Sequence, residues 1–349
     1  VTPFTTPGHK RAPSLADDLL ALDLPLSAGA DDLHLTGDVL GRAEQLAAEL
    51  WGAELCRFCV NGSTQGNQAL ALAAGQPGDA VVVSRNLHKS LLAGLVLSGL
   101  EPVWVRPDVD PETGLALGVP RRRVAAALRA HPGTRAVFLV EPSFVGVMSD
   151  VEAVAVAAHE AGASVLVDQA WGAYLGFHPE LPGHALALGA DALVTSAHKT
   201  LTGFTQSAYL LARGPLLDLA RTVEGFDALN TTSVSAAILA SLDRTRALLA
   251  ARGEELLGHA LLLAASARTR LREIEGLRVL GPELETEAPS VARYDPTKLV
   301  LSLPGTGADG LAVEQDLWAE GVRVELANRD TLVPLVTIGD TEESVDRLC

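Results

Sequence analysis

The sequence predicts an α/β protein: a large domain on a mostly parallel sheet, followed by a smaller α+β C-terminal domain. Three observations carry this. Short β-rich runs alternate with Ala/Leu-rich helical stretches through the centre of the chain, the pattern of βαβ units. Several of these runs are apolar on both faces, as strands inside a parallel sheet must be. From about Ser233 to Glu275 the pattern turns helical almost throughout and then returns to short strands, which marks a second unit.

The strand segments of the large domain are AVVVS (80–84), PVWVR (102–106), AVFLVE (136–141), SVLVDQA (164–170), ALVTSA (192–197) and SAYLLA (207–212). Between them, RRRVAAALRAH and VEAVAVAAHEAG repeat apolar residues at helical spacing, and Gly162 supplies a stop for the second. The helical connector is expected to break near Gly253 and Gly258. In the smaller domain the strands are LRVLG (277–281), KLVLSL (298–303), VRVELA (322–327) and LVPLVTI (332–338), with GLAVEQDLWAEG as a helix between the second and third. Asp340 or Thr341 caps a last helix, whose positive end Glu342 and Glu343 favour. The expected organisation is an N-terminal segment (1–40) contributing to an active site, a large domain (41–235), and connecting helices with the small domain (236–349).

A chain of 349 residues, 48% hydrophobic and 20% charged, can bury a sizeable core. Its net charge of -16 speaks against nucleic acid or an anionic membrane surface and suits a small cationic substrate. No apolar stretch has the length of a membrane-spanning helix, and the first residues lack the apolar core of a signal peptide, so a cytoplasmic protein is expected. Cys56 and Cys59 form a lone CxxC without a second ligand pair nearby. Buried strand cysteines are the simpler reading, and no metal is expected.

The common dinucleotide, nucleotide and zinc-protease motifs are absent, and NGSTQG has Thr64 where a hydrolase elbow would need its serine. Four other segments stand out. In VNGSTQGNQAL (60–70) a small polar turn opens a helix, so backbone N–H groups and the Ser63 and Thr64 hydroxyls can meet a phosphate; an ordinary N-cap is the competing reading. SRNLHKS (84–90) follows a strand and puts His88 and Lys89 at the C-terminal end of the sheet, where open α/β folds bind ligands, although a histidine taken singly is more often a surface or capping residue.

In VLVDQAWGAYLGFH (165–178) an acid, Asp168, ends an apolar strand, where a carboxylate needs a partner. A protonated pyridine nitrogen, as in pyridoxal 5'-phosphate (PLP), would be one; a turn N–H is the alternative. TSAHKTLTG (195–203) ends another apolar strand with Lys199 flanked by Ser196, His198 and Thr200. Those small polar groups could hold phosphate beside an amine poised for imine formation. Lysine is scarce in this chain, which gives Lys199 weight against the alternative of a solvated loop residue.

Together these segments resemble the major domain of the ornithine/lysine/arginine decarboxylase family, whose fold is aspartate-aminotransferase-like (PLP fold type I). The resemblance runs through TTPGHK (5–10), DDLHLTG (31–37), NGSTQGN, RNLHKS, EPSFVGVMSD (141–150), DQAWGAYLGFHPELP and SAHKTLTGFTQSAYL to ELANRDTLVPLVTIGDT (325–341). It implies that Lys199 forms a Schiff base with PLP, that Asp168 pairs with the pyridine nitrogen and that His88 stacks on the ring. It further implies that Ser63, Thr64 and Ser196 hold the phosphate with His198 close by. His9 would lie near the site, and Asp31, Asp32 or Glu325 would meet the distal charge of a basic amino acid. The implied reaction is decarboxylation of arginine, lysine or ornithine in a homodimer or higher homo-oligomer with shared active sites. Another PLP reaction (aminotransferase, aldolase or lyase) and a non-catalytic binding or regulatory paralogue are the alternatives. Gln169 stands where many relatives have Glu and Tyr174 where a histidine is frequent, and the separate C-terminal domain of longer relatives is not expected within these 349 residues.

Overall fold

The computed structural model of the protein describes residues 38–349. After helix α1 (Val39–Trp51), strand β1 (Leu55–Cys59) leads into α2 (Gly62–Ala73). Then follow β2 (Ala80–Ser84), α3 (Lys89–Ser98), β3 (Glu101–Val105), α4 (Arg121–Ala130), β4 (Ala136–Val140), a short β5 (Val147–Met148) and α5 (Val151–Glu160). β6 (Ser164–Asp168), β7 (Ala192–Ser196), the single turn α6 (Ala197–Thr200), β8 (Ala208–Ala212) and α7 (Leu219–Ala228) complete this part.

The large sheet has the order β1-β8-β7-β6-β4-β2-β3. Only β8 runs against the rest, pairing antiparallel with β1 and β7, so the sheet is mostly parallel as expected. β6, β7 and β8 are buried at every residue, which explains their apolar runs. Asp150 starts α5 by accepting from the Ala153 N–H, and Gly162 takes a left-handed φ of 74° just after it, the stop its position predicted.

Cys56 and Cys59 are both buried in β1, but three residues along a strand reverses the face. Cys56 joins the core packed by α1, and Cys59 the core packed by α2 and α3. The buried-strand reading of the CxxC therefore has a geometric reason: the two sulfurs belong to different layers.

α8 (Ala236–Leu271) then runs unbroken for 36 residues, which corrects the expected interruptions near Gly253 and Gly258. Each glycine costs a helix only about 1 kcal/mol, and the Ala/Leu-rich run around them absorbs that. A Cβ on Gly258 would come within 3.1 Å of the His178 ring, and one on Gly253 within 3.6 Å of Phe177, so the glycines admit a crossing segment.

The second sheet, β12-β13-β11-β9, is antiparallel and built from β9 (Arg278–Leu280), β11 (Val300–Ser302), β12 (Leu326–Ala327) and β13 (Thr331–Val333). α9 (Leu284–Glu287) and β10 (Arg293–Tyr294) lie between its first two strands, and β10 pairs with β5. α10 (Gly310–Ala319) and α11 (Glu342–Leu348) complete the chain. All four strands are shorter than the sequence suggested, and for β12 and β13 the cause is visible. The Val322 N–H is held by the Leu317 carbonyl at the end of α10, so pairing starts only where the Glu325 N–H reaches Val333. Pro334 has no N–H to continue β13. Of the two caps proposed for α11, Thr341 serves, in a capping box with Ser344.

Candidate functional site

α2 crosses one face of the sheet against β7, and Gly66 is what lets it approach: a Cβ there would lie 2.7 Å from Val194. The Gly62 N–H at the start of α2 is 2.7 Å from the Gln206 carbonyl, and the Ala197 N–H donates to the next carbonyl, Ser207. This seats the first turn of α2, with buried Ser63 and half-buried Thr64, beside the end of β7. There the Ser196, Thr200 and Ser207 hydroxyls are buried with no hydrogen-bond partner among the described residues. Buried hydroxyls are seldom left unpaired. The His198 ring also faces this corner, its Nδ1 2.8 Å from the Ser207 carbonyl. That bond puts the proton on Nδ1 and leaves Nε2 as an acceptor in the neutral ring.

Asp168 ends β6, beside β7, and is buried. It accepts from the Asn67 side-chain amide (2.7 Å) and from the Ala170 N–H (3.1 Å). Burial nevertheless raises its pKa above the usual carboxylate value, against the lowering effect of these bonds and of Lys199 and His88. A cationic partner would restore the charged form. The turn-N–H reading of Asp168 thus holds, through the Ala170 N–H.

His88 caps α3, accepting at Nδ1 from the Ser90 N–H (3.2 Å), with the Ser90 hydroxyl 2.8 Å away. The same hydroxyl accepts from Asn67 (3.0 Å), so it donates to His88 and the neutral ring carries its proton on Nε2. Partial burial lowers the His88 pKa, which keeps that neutral form. Asn67 and Ser90, which sequence reasoning passed over, connect His88 to Asp168. The only signal for Asn67 was its position one helical turn after Ser63.

Lys199 lies in the α6 turn directly after β7, its ammonium 3.9 Å from the centre of the Trp171 ring. Burial lowers its pKa, while the charges of Asp168 and Glu325 oppose the shift. Glu325 is therefore within electrostatic reach of Lys199, although its side chain is exposed. A second amine, Lys298, stands 5.3 Å from the same Trp171 ring. It was not among the sequence candidates, nor was Trp171. His9, Asp31 and Asp32 lie outside the described residues.

Gln169 is fully buried, but its amide serves the following turn: it donates to the Gly172 carbonyl (2.8 Å) and accepts from the Ala185 N–H (2.7 Å). Tyr174 gives its hydroxyl to Asp295 and meets Thr297 (2.8 Å), tying this turn to the segment before β11. Among the described residues no group of His, Cys, Asp and Glu could hold a metal ion, and no helix is long and apolar enough to cross a membrane.

A mostly parallel seven-stranded sheet followed by a small antiparallel one is the architecture of the PLP fold type I enzymes. The lysine decarboxylase of Francisella novicida superposes with a TM-score of 0.83 at 19% identity, covering 100% of this chain and 57% of that chain. An SPT variant solved with PLP gives a TM-score of 0.66 at 17% identity, covering 91% of this chain and 77% of that one. The chain belongs to the Orn/Lys/Arg decarboxylase major-domain family, whose profile matches residues 4–344. It is 35% identical to the arginine decarboxylase of Bacillus subtilis over 99% of this chain and 72% of that protein.

Proposed function

We propose that this chain decarboxylates a basic amino acid, giving the amine and CO2, with PLP held covalently by Lys199. Similarity to the Bacillus subtilis arginine decarboxylase puts arginine first, ahead of lysine and ornithine. The observation that carries the reading is a half-buried amine and a buried acid at the neighbouring ends of β7 and β6, within electrostatic reach of one another.

The residues fit the cofactor at each end. Unpaired Ser196 and Thr200 hydroxyls beside the first turn of α2 suit a phosphate, with Ser63, Thr64 and His198 adjoining. Asp168 lacks only the cation that a protonated pyridine nitrogen would provide, and neutral His88 suits the ring face. When bound, PLP supplies a ring that takes up the electrons of the bond broken at Cα.

The protein's part is then positional and protonic. Asp168 keeps the ring nitrogen protonated, and Asn67 fixes the carboxylate that does so. Trp171 covers the Lys199 amine and limits water there. The Lys199 ammonium, or His88 once it has taken up a second proton, returns the proton to Cα. Glu325 faces the distal charge of the substrate, with Asp31 and Asp32 as further acids for it. The reading includes a homodimer or higher homo-oligomer, which the exposed apolar side chains Leu92, Val96 and Leu97 on α3 and Phe204 after β7 support.

The test is to incubate the PLP-loaded protein separately with arginine, lysine and ornithine and to measure amine and CO2. Agmatine, cadaverine or putrescine in step with CO2 supports the reading. A keto acid without CO2, or no product, overturns it.

A further inference from the structure

The chain has four lysines, Lys10, Lys89, Lys199 and Lys298, and two of them meet at one tryptophan. Lys298 precedes β11 and is 2% exposed. Its stem lies against Gly146, where a Cβ would stand 2.7 Å from the lysine Cγ. The stem is thus held by a contact only glycine allows, and the ammonium is directed at the rings of Trp171 (5.3 Å) and Tyr174 (5.7 Å).

A buried ammonium normally has an anionic partner. Among the described residues Lys298 makes no ion pair and its ammonium no hydrogen bond; the acid that acts on it most, Asp295, is bound by the Tyr174 hydroxyl and by Thr297. The charges it feels are Asp295, Lys199 and Glu325, whereas Lys199 feels Asp168 and Glu325. Of the two lysines, Asp168 acts on Lys199. With the two ammonium groups 3.9 and 5.3 Å from the centre of the one Trp171 ring, Lys298 borders the space beside Lys199 in which a substrate joined to the cofactor would carry its carboxylate and side chain.

We propose that Lys298 is the group that receives the α-carboxylate of the amino-acid substrate. The inference rests on the functional reading above and adds the residue that orients the bond to be broken. A basic amino acid then spans two opposite charges: its carboxylate meets Lys298 and its distal cation meets Glu325. Tyr174 and Trp171 wall the ammonium and reduce its access to water, so a carboxylate is the strongest available counter-charge. The product amine has no carboxylate and loses this contact, which favours its release.

Two probes separate the contact from general damage. On PLP-loaded protein, calorimetry gives dissociation constants for the desamino analogue of the amino acid turned over, which keeps the carboxylate, and for the product amine, which lacks it. Lys298→Met should weaken the analogue by about 10-fold or more and the amine by less than about 3-fold. Lys298→Gln, of similar length but uncharged, should shift the ratio in the same direction, so the test survives if the Met variant does not fold. Equal weakening of both probes, or no change in either, overturns the proposal. Failure of the functional reading shows separately, as wild-type protein that forms no amine from any of the three amino acids.

Discussion

The Asn67 side chain donates to Asp168 at 2.7 Å and, through the same nitrogen, to the Ser90 hydroxyl that holds His88. A helix-borne amide thereby orients both the acid at the end of β6 and the imidazole at the start of α3. This one side chain fixes the relative positions of the two groups proposed to meet opposite parts of the cofactor ring.

Asn67→Ala should therefore weaken PLP binding and turnover together. A hydrogen bond to a charged group contributes about 1.5–3 kcal/mol, so a loss of roughly 10- to 100-fold in kcat/KM is expected. PLP titration and steady-state kinetics check it. Ser90→Ala should act more weakly, because it leaves the Asp168 bond in place.

Lys199→Ala removes the amine over Trp171 and should leave PLP bound only noncovalently. Treatment with borohydride, followed by mass measurement of the denatured chain, should fix the cofactor to wild-type protein and not to the variant. Turnover should fall by at least about 1,000-fold, since the residue both anchors the cofactor and can move a proton. Full turnover in the variant would remove the central assignment.

Glu141 gives a pH signature independent of the cofactor. It is buried at the end of β4, accepts from the Ser149 N–H at 2.8 Å, and burial pushes its pKa up to about 8 from an ordinary 4.5. The folded protein therefore keeps this proton where the unfolded chain has lost it. Its contribution is fully present below pH 4.5 and is lost as pH rises to about 8. Within that window the slope approaches about 1.4 kcal/mol per pH unit. Glu141→Gln should flatten the corresponding part of a profile of unfolding free energy against pH. Identical slopes for wild type and variant between these limits would contradict the assignment.

What the sequence could reveal followed from local chemistry. Lys199, Asp168 and His88 sit at strand ends, where polar residues stand out against apolar runs, so they were visible one segment at a time. Asn67 and Ser90 were not, because a polar residue inside a helix has no signature until the partner across the sheet is known. Lys298 is nearly 100 residues from Lys199 in sequence and is brought to Trp171 only by the packing of the 295–298 segment against Gly146. The break expected in α8 misread glycines that serve a crossing segment. Strand lengths in the second sheet depended on where Pro334 and the α10 carbonyls fell.

Gln169 separates a structural from a chemical reading of a residue adjoining the site. Its amide donates to the Gly172 carbonyl and accepts from the Ala185 N–H, so both of its polar atoms are engaged by backbone. An ionised glutamate can accept from Ala185 but has nothing to donate to Gly172, and it would face that carbonyl as a buried like dipole. Gln169→Glu should therefore destabilise the fold by about 1–3 kcal/mol at neutral pH, the cost of an unpaired buried acceptor, and by less in acid, where the carboxyl is protonated and donates. Because its side chain bonds the turn and neither the Lys199 nor the Asp168 side chain, KM should stay within about 3-fold of wild type at a temperature where both proteins are folded. Chemical denaturation at pH 5 and pH 8, set beside KM, checks both halves. A large change in KM with unaltered stability would move Gln169 from the scaffold into the site.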